Sequence, residues 1–149
     1  MSLQQELMMK LKEAMKAKDA VALESLRAIK SEILLVQTKG GASSELTKEE
    51  EIKLLQKLVK QRKDSAAIYK EQGRADLAEP ELAQIAVISQ FLPEQMGEDE
   101  LKKVIADIMK AVGATSIKDM GKVMGLASKQ LEGKADGKAI STAVKQLLA

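Results

Sequence analysis

Histidine and cysteine are both absent from the 149-residue chain. Without imidazole or thiolate there is no zinc site of the usual kind, no Ser-His-Asp or Cys-His catalysis, no disulfide and no redox thiol. Tryptophan is absent too, and one Tyr and one Phe hold the aromatic content to 1%. A protein that stacks bases on aromatic rings needs more than this. Chemistry is left to carboxylates, lysines, hydroxyls and Tyr69. There is no Walker-type glycine loop to cradle ATP phosphates. The carboxylate runs Glu49-Glu50-Glu51 and Asp99-Glu100 stand at helix starts, where they stabilise the helix dipole rather than gather a metal. The expectation is a chain with no cofactor, no metal and no catalytic site of its own. No apolar run approaches the roughly 20 residues of a membrane span. The first residues lack a basic stretch followed by an apolar one, as a signal peptide would have. A cytoplasmic protein with no membrane partner is expected.

What is present is a balanced, core-forming composition: 45% hydrophobic and 31% charged residues. Lys and Arg number 24 and Asp and Glu 22, a net charge of +2. Such a chain folds into one domain or two small ones and is not a general polyanion binder, so DNA is not an expected partner.

The hydrophobic period is helical throughout, with no alternating strand pattern. Leu3, Leu7, Leu11 and Met15, with Met8, predict a first amphipathic helix. Asp19 is placed to cap a second, whose stripe is Leu23, Leu26, Ile33 and Leu34, widened by Ile29. Gly40-Gly41 and Ala42-Ser43-Ser44 read as a loop. Thr47 and Glu50 stand at capping-box spacing, with Leu46 as a staple. A third helix follows to Gln72 on Ile52, Leu55, Leu58, Val59, Ala66 and Tyr69, and Gly73 stops it. A fourth helical region runs from Arg74 to Leu92. Pro80 is awkward inside it and suggests a separate turn at Asp76 to Glu79, or else a kink. After Pro93 acidic residues open a fifth helix on Leu101, Val104, Ile105, Ile108 and Met109, ended by Gly113. A sixth is expected from Ile117 to Leu131, and a seventh from the Asp136 cap to Leu148. The predicted fold is all-α and multihelical: an N-terminal helical hairpin or bundle over 1–93 and a three-helix domain over 94–149.

The sixth helix carries the main site candidate. With about 100° per residue, Met120, Val123, Met124, Ala127 and Leu131 form its core face. Lys118, Lys122 and Lys129 fall opposite, with Gly121 and Gly125 beside them. A glycine costs a helix about 1 kcal/mol relative to Ala. Two of them either let another helix pack closely beside a solvated lysine face, or leave backbone bare for a phosphate chain flanked by lysine point charges. Downstream, Gly133-Lys134-Ala135-Asp136-Gly137-Lys138 adds two lysines near a helix start. That start can take a phosphate unless Asp136 occupies it. From Gly113 onward six lysines face three acids.

Arg62 falls inside the apolar stripe of the third helix, and Arg27 and Lys30 border that of the second. Cations so placed serve as ion pairs or snorkelled stems, or else bind a ligand. Asp64, Asp76 and Glu81 are partner candidates among which the sequence does not choose. The amphipathic N-terminal helix, with Glu6 and Glu13 among the lysines of its polar face, suits packing on the second helix better than anionic lipid.

Arg62-Lys63-Asp64-Ser65, Gly73-Arg74-Ala75-Asp76-Leu77, Phe91-Leu92-Pro93-Glu94-Gln95 and Gly113-Ala114-Thr115-Ser116 together resemble the YqeY family. So do Lys118-Asp119-Met120-Gly121-Lys122-Val123-Met124-Gly125 and Gly133-Lys134-Ala135-Asp136-Gly137. The resemblance covers essentially the whole chain in order, with Pro80 as the departure. It implies a small all-helical protein of two domains. Its C-terminal part is similar to the tail domain of GatB, the tRNA-handling subunit of the glutamine-dependent aspartyl/glutamyl-tRNA amidotransferase. Partners implied are tRNA and a tRNA amidotransferase or tRNA synthetase component, and the label carried over is that of a carbon–nitrogen ligase with glutamine as amide donor. The catalytic parts of that enzyme have no counterpart here. The expected function is a tRNA-binding or amidotransferase-associated module, with Lys118, Lys122, Lys129, Lys134 and Lys138 and the two glycines as its RNA-binding residues. A protein–protein adaptor using the long N-terminal helices is the alternative.

Overall fold

The structure, a computed structural model, describes residues 2–39 and 45–148, so the expected loop at Gly40 to Ser44 lies outside it. Seven α-helices and one 3-10 turn make up the described residues, with no strand among them. The chain divides into two compact units, Met1–Leu92 and Pro93–Ala149.

The first unit holds four helices: α1 (Leu3–Ala17), α2 (Ala20–Lys39), α3 (Lys48–Glu71) and α4 (Ala75–Ser89). Local chemistry sets their ends. Ser2 and Gln5 form a capping box on α1, and Thr47 and Glu50 form one on α3. Asp19 accepts from the Ala22 amide at 3.1 Å at the start of α2. The 24 residues of α3 span about 36 Å at 1.5 Å each. Gly73, at φ +71, turns the chain back into α4, the neighbour on which α3 packs most extensively. Leu55, Leu58, Leu26, Ile29 and Ile88 centre the core, and Leu46 packs against it ahead of the α3 cap.

Three expectations need correction here. Met8 and Met15 are exposed, and Ala14 is buried in their place. A repeat of four residues gains about 40° at each step, so after three steps Met15 has rotated off the core line and Ala14 has come onto it. Leu34 is exposed for a related reason: its neighbour Ile33 holds the core position about 100° away. Pro80 lies inside a single continuous helix rather than after a separate turn. Its missing N–H removes only the bond that the Asp76 carbonyl would accept, and both residues are exposed, where water replaces it.

The second unit packs α5 (Glu98–Val112), α6 (Met120–Gln130) and α7 (Gly137–Leu148) around Ile105, Val123, Ala127, Leu131 and Val144. Three acids occupy the first turn of α5, and Gly113, left-handed at φ +69, ends it. The segment leading into α5 is pinned to the α6–α7 loop. Gln95 Nε2 donates to the Gly133 carbonyl at 2.6 Å, and the Met96 amide donates to the Lys134 carbonyl at 2.9 Å. No described helix is long and apolar enough to cross a membrane.

Candidate functional site

The face of α6 turned away from its core is built by one helix and the turn before it. Val123 and Ala127 are fully buried, and Met120 and Met124 are half-buried beside them. This anchors the helix rotation and turns Lys122 and Lys129 outward, both exposed. Seven residues apart, they stand about 10.5 Å from each other along the axis.

Lys118 is also exposed but is not part of α6. Residues Ile117–Asp119 form a 3-10 turn, so the expected single helix from 117 to 131 is shortened at its front. The Asp119 carboxylate accepts from the Thr115 amide at 3.1 Å and the Ser116 amide at 3.4 Å, which tightens the entry. The α-helical rotation therefore does not extend back to Lys118, which flanks the lysine line rather than continuing it.

Gly121 and Gly125 are open within the second unit. A Cβ built on either would meet nothing within 4 Å among the described residues. No described helix of the second unit packs against them, so packing within that unit does not return their helix cost. Both are exposed beside Lys122. Leu126, 45% exposed, sits between Lys122 and Lys129 on the same side of α6. It escaped notice in the sequence, although at about 240° from Met120 its rotation alone sets it opposite the core.

Lys134 and Lys138 are exposed at either side of the start of α7. That start is taken: Asp136 Oδ1 accepts from the Ala139 amide at 2.7 Å. A phosphate seated on the helix end is ruled out in this arrangement, because the carboxylate fills the position and repels an anion. Gly133, at φ +79, is buried with its carbonyl engaged by Gln95. Lys138 also borders a groove of about 400 Å³ between α5 and α7, where Glu98 and Asp136 balance Lys102 and Lys138. None of Lys118, Lys122, Lys129, Lys134 and Lys138 has a carboxylate within 4.0 Å among the described residues.

The cations of the first unit separate into two kinds. Arg62 is half-buried and structural, but its partner is not a carboxylate. Its Nε donates to Gln84 Oε1 at 2.8 Å and its Nη1 to the Leu58 carbonyl at 3.0 Å. Asp64 pairs with Lys60, and Asp76 with Arg74. Arg27 and Lys30 are exposed instead of half-buried, because no described neighbour covers that side of α2. Arg74 donates to Asp76 through Nε and Nη2, which holds the Asp76 carboxyl below the ordinary carboxylate range. No group of three or more acidic, His or Cys side chains suited to a metal occurs among the described residues.

Residues 4–148 match the family described as Yqey-like protein. Two curated proteins are similar to the chain. One is "Altered inheritance of mitochondria protein 41, mitochondrial" of Clavispora lusitaniae (strain ATCC 42720), 34% identical over 106 residues, 70% of this chain and 61% of the relative. The other carries the same name in Pyrenophora tritici-repentis (strain Pt-1C-BFP), 28% identical over 141 residues, 93% of this chain and 76% of the relative. The chain thus aligns with about three fifths of the first relative's length.

Proposed function

The chain belongs to the YqeY family, and from that premise we propose that it is a non-catalytic module that binds the phosphate backbone of tRNA through the outward face of α6. Its protein partner is then a component that handles the same tRNA, such as an amidotransferase or a synthetase. The observation that carries this reading is the pair of open glycines, Gly121 and Gly125, beside exposed lysines that have no carboxylate within 4.0 Å among the described residues. Bare backbone allows close approach, and the Lys122 and Lys129 ammonium groups supply point charges to phosphates along the strand. The second unit contains no Arg, His or aromatic residue. Base stacking on aromatic rings and the planar guanidinium fork are therefore not available to it, and the proposed recognition is of shape and backbone. Cytoplasm and mitochondria both hold tRNA, so the role suits either compartment, including the one in the relatives' names.

The test is tRNA affinity as a function of salt. Lys122→Ala with Lys129→Ala should lower both the affinity and the log–log salt slope, by about 0.7 to 1 per lost contact. Gly125→Leu should weaken binding by blocking the approach while keeping the helix. Equal affinities and slopes in wild type and all variants would refute an RNA role for this face.

A further inference from the structure

Helices α1 and α2 are antiparallel neighbours joined by Lys18 and Asp19 alone. At about 100° per residue, Met8 and Met15 lie about 110° round from the Leu3–Leu7–Ala14 core line of α1. Leu34 and Arg27 lie about 110° round from the Leu26–Ile29–Ile33 core line of α2, in the same sense of rotation. Leu3 lines one hollow with Ile33 and Ala14 lines another with Leu26, so the core lines of this antiparallel pair face each other and an equal rotation away from them turns both sets to one side. That side faces away from α4, because the opposite flank of α1, with Lys10, Glu13 and Ala17, borders a groove shared with Val87 and Gln90 at the end of α4. Between the two rows run the half-buried Leu11 and Leu23, which close the seam onto the core.

This side is apolar and positive at once. Met8 is 60%, Met15 54% and Leu34 54% exposed. Arg27 and Lys30 are exposed beside them and have no carboxylate within 4.0 Å among the described residues. Lys10, Lys53, Lys57, Lys60 and Arg74 on the same unit are paired, while among the described residues several other surface lysines, such as Lys12 and Lys63, are unpaired too. What marks this side is that its two unpaired cations border exposed apolar side chains. Met8 to Met15 and Arg27 to Leu34 are each seven residues, so both rows run about 10.5 Å along the seam. Two exposed methionines give an adaptable contact surface suited to helical partners.

We propose that the α1–α2 seam is the docking site for an acidic amphipathic helix of a partner protein. Its apolar stripe lies on Met8, Met15 and Leu34, and its flanking Asp and Glu side chains pair with Arg27 and Lys30. Charge complementarity selects the occupant: the seam offers apolar area bordered by two cations with no carboxylate within 4.0 Å among the described residues. Helix-in-groove recognition uses anchors spaced as these two rows are. The site is independent of the α6 face.

The test uses the full chain with isotope-labelled methionine methyl groups. The probe is a synthetic helical peptide of about 15 residues with leucines on one face and glutamates flanking them, compared with a twin carrying lysines in place of the glutamates. The Met8 and Met15 methyl signals should move with the glutamate peptide and not with the lysine twin. Arg27→Glu with Lys30→Glu should weaken binding about tenfold or more, and Met8→Gln with Met15→Gln should do likewise, with circular dichroism unchanged for both. No movement at the two methyl groups, equal response to the lysine twin, or undiminished affinity in both double variants would overturn the proposal. So would methyl signals that answer instead to phosphatidylglycerol vesicles or to the protein's own concentration.

Discussion

Arg62 on α3 donates from Nε to the Oε1 of Gln84 on α4 at 2.8 Å, and that amide is 9% exposed. A buried neutral acceptor, rather than a carboxylate, ties the two helices of the long hairpin at mid-length. Removing it should strand a half-buried guanidinium donor. Gln84→Ala is expected to cost about 1 to 3 kcal/mol in urea unfolding, and Arg62→Lys to cost a similar amount, since an ammonium cannot reproduce the planar two-point geometry. Stabilities within about 0.5 kcal/mol of wild type for both would remove the pair from the hairpin's stability.

Gly125→Ala separates folding from binding. A Cβ there meets nothing within 4 Å and the residue is mid-helix, so alanine should raise stability by about 0.5 to 1 kcal/mol. If α6 docks a phosphate backbone closely, the same change should lower tRNA affinity. A thermal melt and a binding curve on one variant check both signs. Destabilisation would mean that the glycine serves the fold after all.

The two units should respond separately to core damage. Ile105 is fully buried in the second unit, with Val123 and Val144 in the same cluster. Ile105→Ala is expected to cost about 2 to 5 kcal/mol, enough to unfold a unit of this size. Hydrogen exchange should then show lost protection in α5, α6 and α7 with protection in α1 to α4 retained. Loss spread evenly over both units would contradict their independence.

Asp76 should titrate abnormally low. Its hydrogen bonds from Arg74 favour the carboxylate, so the folded pKa lies below the unfolded one. The contribution to stability is therefore present above the ordinary value of about 3.9 and is lost as pH falls through the lower folded value. Carbon-detected titration of the Asp76 carboxyl should give a depressed midpoint in wild type that returns to the ordinary range in Arg74→Ala. Both side chains are exposed, so the effect on global stability should be slight.

Residue spacing alone determined most of the secondary structure. The Thr47–Glu50 box, the Gly73 and Gly113 stops, the Asp136 cap and the all-helical class follow from local hydrogen bonding and backbone freedom, which depend on near neighbours in the chain. The outward rotation of Lys122 and Lys129 was legible for the same reason, since Val123 and Ala127 fix the helix phase. Tertiary structure alone decided the rest. The choice of Gln84 over Asp64, Asp76 or Glu81 for Arg62 depends on how α3 and α4 align, across a separation of 22 residues. Helix periodicity by itself rotates Met15 and Leu34 off their core lines, but how much of that flank stays uncovered depends on the neighbouring helices. Whether Gly121 and Gly125 meet another helix or open space is likewise a question of what lies beside α6, and only the packed unit answers it.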